Sequence, residues 1–359
     1  MVYIPPEFQP VTVPKDEAYE GMELDEAVRA ALPEGATVKW VATHDASFWA
    51  ISSKIDTELA DGTYQSYFLK VYTTQSAKQM ALGEYEGSKA LYATLPNNIP
   101  KPIATGALVE DPKKHFYIAE FKNMASKMPR TSKFVSVVAK LHQNTESPDG
   151  RFGFHITTYG GDYPIDTSWC DTWEEFFTRL MRNTMEKERL IQGPNEELDR
   201  LSPIILEHVI PRLLRPMESN GRKLKPVLLH GDLWHGNVAA DNATDEPIFY
   251  DPCAFYGHNE CKYTQGLGMY LLMALDEFAF WRAARYRTSR HHVRAYHKIA
   301  KVTEPSEDQD DRHALYAMRS DLMVSITWSA NKQTRLFAIE EMKRLVEKYC
   351  EKETSVVET

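Results

Sequence analysis

Alternating apolar and polar positions dominate the first third of the chain, where four segments predict β-strands: residues 38–41, 48–51, 67–72 and 115–119. Apolar residues from Gln75 to Leu95 instead recur with a helical period, and Pro96 follows the segment. This order of elements predicts a small lobe made of an antiparallel sheet and one helix.

Helical periodicity replaces the alternation after about residue 124, and it predicts helices at residues 133–142, 172–190, 195–214, 263–286 and 312–348. Short strands are predicted at residues 238–240 and 248–250, around a turn at Asp241 and Asn242. An acidic run at residues 305–311 is interpreted as a solvated face.

The two halves together predict an α+β fold with two lobes, a small sheet-based N-lobe and a larger, mainly helical C-lobe. We assign nucleotide binding to the N-lobe, residues 21–120, and catalysis and substrate binding to the C-lobe, residues 121–350. A proline-containing extension at residues 1–20 and a polar tail at residues 351–359 flank them.

Composition narrows the possible partners and compartments. The 359 residues are 43% hydrophobic, which is enough for two lobes with buried cores. A net charge of -9 without a basic block disfavours a nucleic-acid partner. No apolar run approaches the roughly 18 residues of a membrane span, so no membrane partner is expected. The 4 cysteines fit neither a zinc site nor a disulfide framework, which favours a reducing, cytoplasmic location. We expect a monomer.

The most informative stretch is residues 229–237, in which Asp232 precedes Asn237 by five positions and Asp251 follows fourteen positions later. Phosphoryl transfer from a magnesium nucleotide requires a carboxylate at the acceptor hydroxyl and oxygen ligands for Mg²⁺. Asp232 fits the first role, and Asn237 and Asp251 fit the second. The simpler interpretation, in which these side chains only satisfy loop backbone groups, does not explain their combined order and spacing.

Phosphoryl transfer also requires a cation on the nucleotide phosphates. Lys70 lies in the predicted strand at residues 67–72, where a lysine is more often a solvent-facing residue. Beside the later motif it becomes the candidate phosphate lysine. Glu84 and Glu86 on the following helix are the possible acidic partners, but they differ by about 200° around the helix axis. We prefer Glu84 and interpret Glu86 as a surface residue.

Trp234 lies among small and polar residues within the same stretch. Its ring suits stacking on a sugar, which makes it a candidate substrate-binding residue. A structural tryptophan packed under the loop is nearly as good an interpretation.

These residues resemble the fructosamine/ketosamine kinase family, whose relatives are aminoglycoside and choline kinases with a protein-kinase-like fold. The most specific segment is residues 228–238, LLHGDLWHGNV. The metal-binding segment is matched by residues 251–260, DPCAFYGHNE, and the loop before the catalytic stretch by residues 151–155, RFGFH. Glu84 falls on the family's helix glutamate, and residues 119–121 resemble the hinge that meets adenine.

The resemblance implies ATP and Mg²⁺ as cofactors, with Glu120 and Phe121 near the adenine. It implies ATP-dependent phosphorylation of the 3-hydroxyl of a ketosamine, a sugar attached to an amine, in a glycated protein or a small molecule. The phosphorylated adduct becomes unstable and leaves, so the implied activity is protein deglycation.

Three positions depart from the family's pattern. Residues 42–48 replace a glycine-rich turn and contain no glycine, Cys253 and Ala254 stand where the family has alanine and serine after Asp-Pro, and Lys262 replaces an acidic residue. These departures keep two alternatives open: a catalytically impaired kinase-like binding module, and a kinase for a free small sugar or amino-alcohol.

Overall fold

The computed structural model describes residues 24–47, 49–125, 127–260, 289–330 and 332–351. The expected extension at residues 1–20, the predicted helix at 263–286, Lys262 and residues 352–359 of the tail lie outside the described residues.

The N-lobe contains an antiparallel five-stranded sheet with the order β1-β2-β3-β5-β4. Its strands are β1 (Thr37–Ala46), β2 (Ala50–Glu58), β3 (Tyr64–Tyr72), β4 (Pro102–Ala107) and β5 (His115–Glu120). Helix α1 (Glu26–Ala30) precedes the sheet, and α2 (Ala77–Thr94) connects β3 to β4. The predictions of β3, β5 and α2 are confirmed. The sequence reading missed α1, whose five residues are too short for a periodic signal, and β4, which contains Pro102 and Gly106.

The two faces of this sheet bury different apolar sets. One face packs Ile55, Leu69 and Ile118 against Val28 of α1, and the other packs a second cluster, including Tyr72 and Tyr117, against α2. Because side chains alternate along a strand, Lys70 shares the α2 face with Tyr72. Lys70 is accordingly buried and is not a solvent-facing lysine.

The C-lobe is mainly helical, with helices α3 (Thr131–Gln143), α4 (Trp173–Gln192), α5 (Glu196–Ile204), α6 (Ile210–Leu214), α7 (Ser289–His297), α8 (Gln309–Thr327) and α9 (Gln333–Val346). Its short strands are β6 (Met124–Ala125), β7 (Thr158–Gly160), β8 (Tyr163–Ile165), β9 (Val227–Leu229), β10 (Val238–Asp241), β11 (Pro247–Phe249) and β12 (Phe255–Gly257). They pair as β11-β10-β6, β12-β9 and β7-β8. The predicted two-lobed α+β fold is therefore confirmed.

Two predicted helices differ in detail from the structure. The segment at residues 195–214 is helical throughout, but a π-helical turn at Ile205–Val209 separates α5 from α6. Prolines 203 and 211 flank this turn, and each lacks the N–H that a regular α-helix uses. The segment at 312–348 is two helices, because α8 ends at Thr327 and α9 begins at Gln333. No helix of the described residues is long and apolar enough to span a membrane.

The interpretation of the acidic run at residues 305–311 as a solvated face holds for Glu307 and Asp310, which are exposed, but it is wrong for Asp308 and Asp311. Asp308 and Asp311 are buried. Asp308 pairs with Arg212 of α6 at 2.8 Å, and Asp311 pairs with Arg344 of α9 at 2.7 Å. Burial favours a higher pKa for Asp311, but hydrogen bonds from Lys348, Tyr349 and Arg344 outweigh it and lower the pKa to about 2. The run therefore ties the start of α8 to two other helices.

Candidate active site

A tight backbone contact fixes the start of the catalytic stretch. β9 pairs with β12, so residues 230–232 leave the pair directly beside Cys253. Gly231 has φ +85°, and a Cβ there would lie 2.0 Å from the Cys253 carbonyl oxygen. Any other residue would be both strained and in collision with the backbone. Gly231 therefore lets the chain pass Cys253 and turn Asp232 into the cleft.

The spacing between Asp232 and Asn237 closes the loop on itself. The Asn237 Nδ2 group donates to the Asp232 backbone oxygen and to its Oδ2, both at 2.8 Å. The Asn237 amide also donates to the Trp234 carbonyl at 2.9 Å. These bonds orient the Asp232 carboxylate, and they turn Asn237 Oδ1, an acceptor, away from the loop.

The hairpin of β10 and β11 brings Asp251 back beside Asn237, as the sequence predicted. Val238 pairs with Phe249, and the Tyr250 amide donates to the Asn237 carbonyl at 3.1 Å. Asn237 Nδ2 lies 3.4 Å from the Asp251 carbonyl oxygen. Asp251 has φ +58°, a left-handed conformation that aspartate and asparagine tolerate better than most residues.

Asn237 and Asp251 supply the donor atoms that Mg²⁺ prefers, one amide oxygen and one carboxylate. Within the described part of the chain, no three His, Cys, Asp or Glu side chains cluster as a metal site. A magnesium ion held by these two residues would take its other ligands from phosphate and water, as is usual for Mg²⁺ at nucleotide sites. The residues present therefore fit a nucleotide-bound metal.

Lys70 lies between two carboxylates. Its Nζ is 3.0 Å from Glu84 Oε2 and also contacts Asp251 Oδ1, and the Tyr72 hydroxyl donates to the same Glu84 oxygen. Burial and the nearby Asp251 charge raise the pKa of Glu84 to about 7, although Lys70 opposes the shift. The two carboxylates raise the pKa of Lys70 well above its ordinary value, despite its burial, so this lysine stays charged.

Glu86, the other possible partner of Lys70, faces away from the cleft. Its carboxylate lies 3.2 Å from His155 Nε2 and 3.5 Å from Lys89 Nζ. The structure therefore brings Glu84, and not Glu86, to Lys70.

His230 is buried beneath the catalytic loop as a neutral ring. Burial lowers its pKa to about 4, and the Asp251 charge opposes the shift only partly. The Asp232 amide donates to His230 Nδ1 at 3.3 Å, which a doubly protonated ring could not accept. Neutral His230 thus contributes to holding the backbone of Asp232.

This burial predicts a pH-dependent loss of stability. The unfolded histidine, with a pKa near 6.5, binds a proton before the folded one does, so the stability that His230 contributes is complete above about pH 6.5 and falls as the pH drops toward 4. Between pH 7.5 and pH 5 we expect about 2 kcal/mol of loss from this residue. Urea unfolding at both pH values, with His230→Gln beside wild type, measures it.

In that comparison the His230→Gln variant should lose about 2 kcal/mol less than wild type on acidification. The exposed His155 offers the matched control, since His155→Gln should lose as much as wild type. Equal losses in wild type and His230→Gln would contradict the prediction.

Two connected cavities lie between the lobes. The larger, about 420 Å³, extends from Glu120 and Phe121 to Lys70, Asn237 and Asp251. The smaller, about 90 Å³, shares those last three residues but also reaches Asp232 and the β7-β8 hairpin. We call them the large cavity and the small cavity. Their shared wall is where the candidate phosphate and metal residues lie.

Trp234 also lines both cavities. Its ring packs directly over Gly236, where an added Cβ would lie 2.3 Å from the ring. Part of the structural interpretation of Trp234 therefore holds, since the ring packs on its own loop. The same position presents the ring to whatever occupies the small cavity.

Glu120 and Phe121 line the large cavity, but their polar groups are already engaged. The Phe121 amide donates to the Ser66 carbonyl at 3.0 Å, and the Glu120 carboxylate lies 2.8 Å from Lys122 Nζ. Phe121 therefore cannot offer its N–H to a base, because β3 already uses that group. Its contribution to a ligand is limited to its ring and carbonyl.

The glycine-free turn over the cavity is shorter than the sequence suggested. β1 continues to Ala46 and β2 begins at Ala50, so residues 42–46 are strand and the chain reverses between these two strands. The Ser47 amide donates to the Ala50 carbonyl at 2.8 Å, and the Ala50 amide donates to Ser47 Oγ at 3.1 Å. Both of these amides are therefore used within the turn and are not offered to a phosphate.

Tyr72 and Tyr159 are among the cleft residues that the sequence did not predict. Tyr72 was detectable, because it follows Lys70 by two positions in a strand and therefore shares its face. Tyr159 lies far from the catalytic stretch in sequence, in the three-residue strand β7, which is too short to give a periodic signal.

Comparison with known proteins agrees with this geometry. The profile of the fructosamine kinase family matches residues 50–319. A chloroplastic protein-ribulosamine 3-kinase of Oryza sativa subsp. japonica is 30% identical over 200 residues, covering 55% of each chain. A ketosamine-3-kinase of Mus musculus is 30% identical over 217 residues, covering 54% of this chain and 66% of its own. The chain thus spans only about half to two thirds of these relatives' lengths.

Solved structures share the fold. A candidate fructosamine-3-kinase from Thermobifida fusca superimposes with a TM-score of 0.65 at 21% identity, covering 90% of this chain and 98% of its own. An aminoglycoside phosphotransferase, APH(4)-Ia, solved with AMP-PNP and hygromycin B, superimposes with a TM-score of 0.54 at 13% identity, covering 87% and 94%. The family match extends over most of the chain, from β2 into α8. The chain therefore belongs to the fructosamine kinase family.

Proposed function

We propose that this protein is an ATP-dependent kinase that phosphorylates the 3-hydroxyl of ketosamines, either on protein lysines or as small molecules. The names of the rice and mouse relatives support the substrate class, and the fold shared with a kinase solved with AMP-PNP supports the nucleotide. Its biological consequence would be protein deglycation. The cysteine usage fits a reducing, cytoplasmic setting.

One observation carries the proposal: the distribution of the candidate residues between the two cavities. Asp232 lines the small cavity and not the large one, whereas Lys70, Asn237 and Asp251 line both. A nucleotide in the large cavity would place its terminal phosphate at the shared wall, and an acceptor in the small cavity would meet Asp232. Such a division would set the acceptor hydroxyl and the terminal phosphate on opposite sides of that wall, as in-line phosphoryl transfer requires.

In this arrangement Asp232 receives the proton of the attacking hydroxyl or orients that hydroxyl. The hydroxyl oxygen forms a bond to the γ-phosphorus, and the bond from the γ-phosphorus to the β-phosphate oxygen breaks. Asn237 keeps the Asp232 carboxylate in place through its Nδ2 group. Lys70, held by Glu84, neutralises charge on the phosphates. Trp234 packs against the acceptor sugar.

Asn237 and Asp251 would hold the Mg²⁺ ion, which supplies charge neutralisation between the β- and γ-phosphates when it is bound. Asp251, whose carboxylate contacts Lys70 in this structure, would then lie between this lysine and the metal. Since Phe121 has no N–H to offer, the adenine would take a donor from the next residue, Lys122, which also lines the large cavity.

The test is direct. The protein is incubated with ATP, Mg²⁺ and ribulose-lysine or fructose-lysine, and the product is identified by phosphorus NMR as the 3-phosphate. Transfer by wild type and its absence with Asp232→Ala would support the proposal, and no transfer by wild type would reject it. Comparing free ketosamines with a glycated protein separates the two acceptor classes.

The closed turn at Ser47 and Ala50 favours one other candidate function, a kinase-like module that binds nucleotide without turnover. The backbone amides of Ser47 and Ala50 are not offered to a phosphate, because both bond within the turn. Thermal unfolding in the presence of Mg-ATP separates the two functions. Stabilisation together with transfer supports the kinase, and stabilisation without transfer to any ketosamine supports the binding module.

A further inference from the structure

Residues 155–159 lie along the first half of α2, although they belong to the C-lobe, between α3 and α4. His155 contacts Glu86 at 3.2 Å, and an added Cβ on Gly83 would lie only 2.9 Å from the Thr157 carbonyl oxygen. The Tyr159 side chain interacts with Ser76, the residue that caps the start of α2. The segment therefore runs antiparallel to the helix that carries Glu84.

Tyr159 also reaches the small cavity. Its half-buried ring lines that cavity and packs against the apolar cluster that includes Tyr72 and Met80. Burial raises the pKa of Tyr159, although Ser76 opposes the shift, so the hydroxyl is neutral near pH 7 and can donate a hydrogen bond. An aromatic ring with a polar tip is the kind of group that packs against a sugar and donates to one of its oxygens.

The β7-β8 hairpin, which carries Tyr159, also carries a second tyrosine that does not face the cleft. Tyr163, on β8, is buried in the core of the C-lobe and does not line either cavity. The two tyrosines are close in sequence and belong to adjacent paired strands. They therefore allow a matched comparison between the cavity and the core.

We infer that Tyr159 is an acceptor-specificity residue, which packs on the sugar of the acceptor and is positioned by α2. The inference rests on the proposed function, since it assigns the small cavity to the ketosamine sugar. In addition, α2 would position both Tyr159, for the acceptor, and Lys70, through Glu84. Tyr159 does not line the large cavity, so changes there should leave nucleotide binding nearly unaltered.

The experiment compares Tyr159→Leu, Tyr159→Phe and the control Tyr163→Phe by steady-state kinetics with ribulose-lysine and fructose-lysine. Tyr159→Leu should raise the KM for ribulose-lysine on the order of tenfold, because it loses both ring packing and the hydroxyl. Tyr159→Phe should show a smaller rise. The ATP KM should stay within about twofold in all three, and Tyr163→Phe should match wild type.

Specificity gives a second readout that a merely structural role would not move. The smaller leucine leaves more space for the larger sugar. In Tyr159→Leu, the KM for fructose-lysine should therefore rise less than the KM for ribulose-lysine. An unchanged acceptor KM, or equal rises in the acceptor and ATP KM values, would overturn the inference. Absence of transfer by wild type would instead reject the proposed function, and this inference with it.

Discussion

Replacing Asp232 by asparagine is expected to lower kcat for phosphoryl transfer by about 10³-fold or more, while the fold and nucleotide binding are retained. Asparagine has nearly the same shape, and its side-chain oxygen can still accept the Nδ2 bond that Asn237 makes to Asp232 at 2.8 Å. The variant removes the negative charge at the acceptor hydroxyl and little else. The measurement is the rate of ketosamine phosphorylation at saturating ATP.

Nucleotide binding should survive this change because Asp232 does not line the large cavity. Thermal stabilisation of Asp232→Asn by Mg-ATP should therefore match that of wild type. The control is Asp171→Asn, an exposed aspartate before α4, which should retain full activity. If Asp232→Asn kept more than about a tenth of the wild-type rate, Asp232 would not be the group that acts on the acceptor hydroxyl.

The sequence predicted the elements whose signal is local. Alternation identified β3, and the helical period identified α2 and α4. The spacing of Asp232, Asn237 and Asp251 predicted their proximity, because a single short hairpin connects the last two. Such features depend on near neighbours in sequence, so composition and periodicity are enough to find them.

What the sequence could not show depends on long-range contacts. Asp308 and Asp311 read as part of a solvated acidic run, yet distant arginines on α6 and α9 make their burial favourable. Gln192 of α4 binds the chain where α8 ends. Its side-chain amide donates to the carbonyls of Ser325 and Ser329. No local pattern encodes these partners, which lie between 33 and 137 residues away in the sequence.

The hinge illustrates the same limit at the site. A resemblance placed Phe121 beside the adenine, and the residue does line the large cavity. Only the register of β3 against β5 shows that Ser66 already accepts its N–H. Register is a tertiary property, and a shift by one residue would have reversed which backbone groups are available.

Replacing Asp251 by asparagine is the other change with a large expected effect, and the left-handed conformation of Asp251 limits that change to the loss of charge. Asparagine tolerates this conformation as aspartate does, so Asp251→Asn should keep the backbone at φ +58° while removing the charge offered to Mg²⁺. It also removes one of the two carboxylates that face Lys70. We expect kcat to fall on the order of 10³-fold and the Mg²⁺ concentration for half-maximal activity to rise.

Asp245 provides the matched control. It lies in the turn of the same β10-β11 hairpin with φ +57°, and it pairs with Lys127 and Arg130 instead of facing either cavity. Asp245→Asn should therefore show wild-type kcat and an unaltered Mg²⁺ titration. Since the two variants share the chemistry and the backbone conformation, only their position relative to the phosphates differs. A normal Mg²⁺ titration in Asp251→Asn would remove this residue from the metal site and leave Asn237 without its partner ligand.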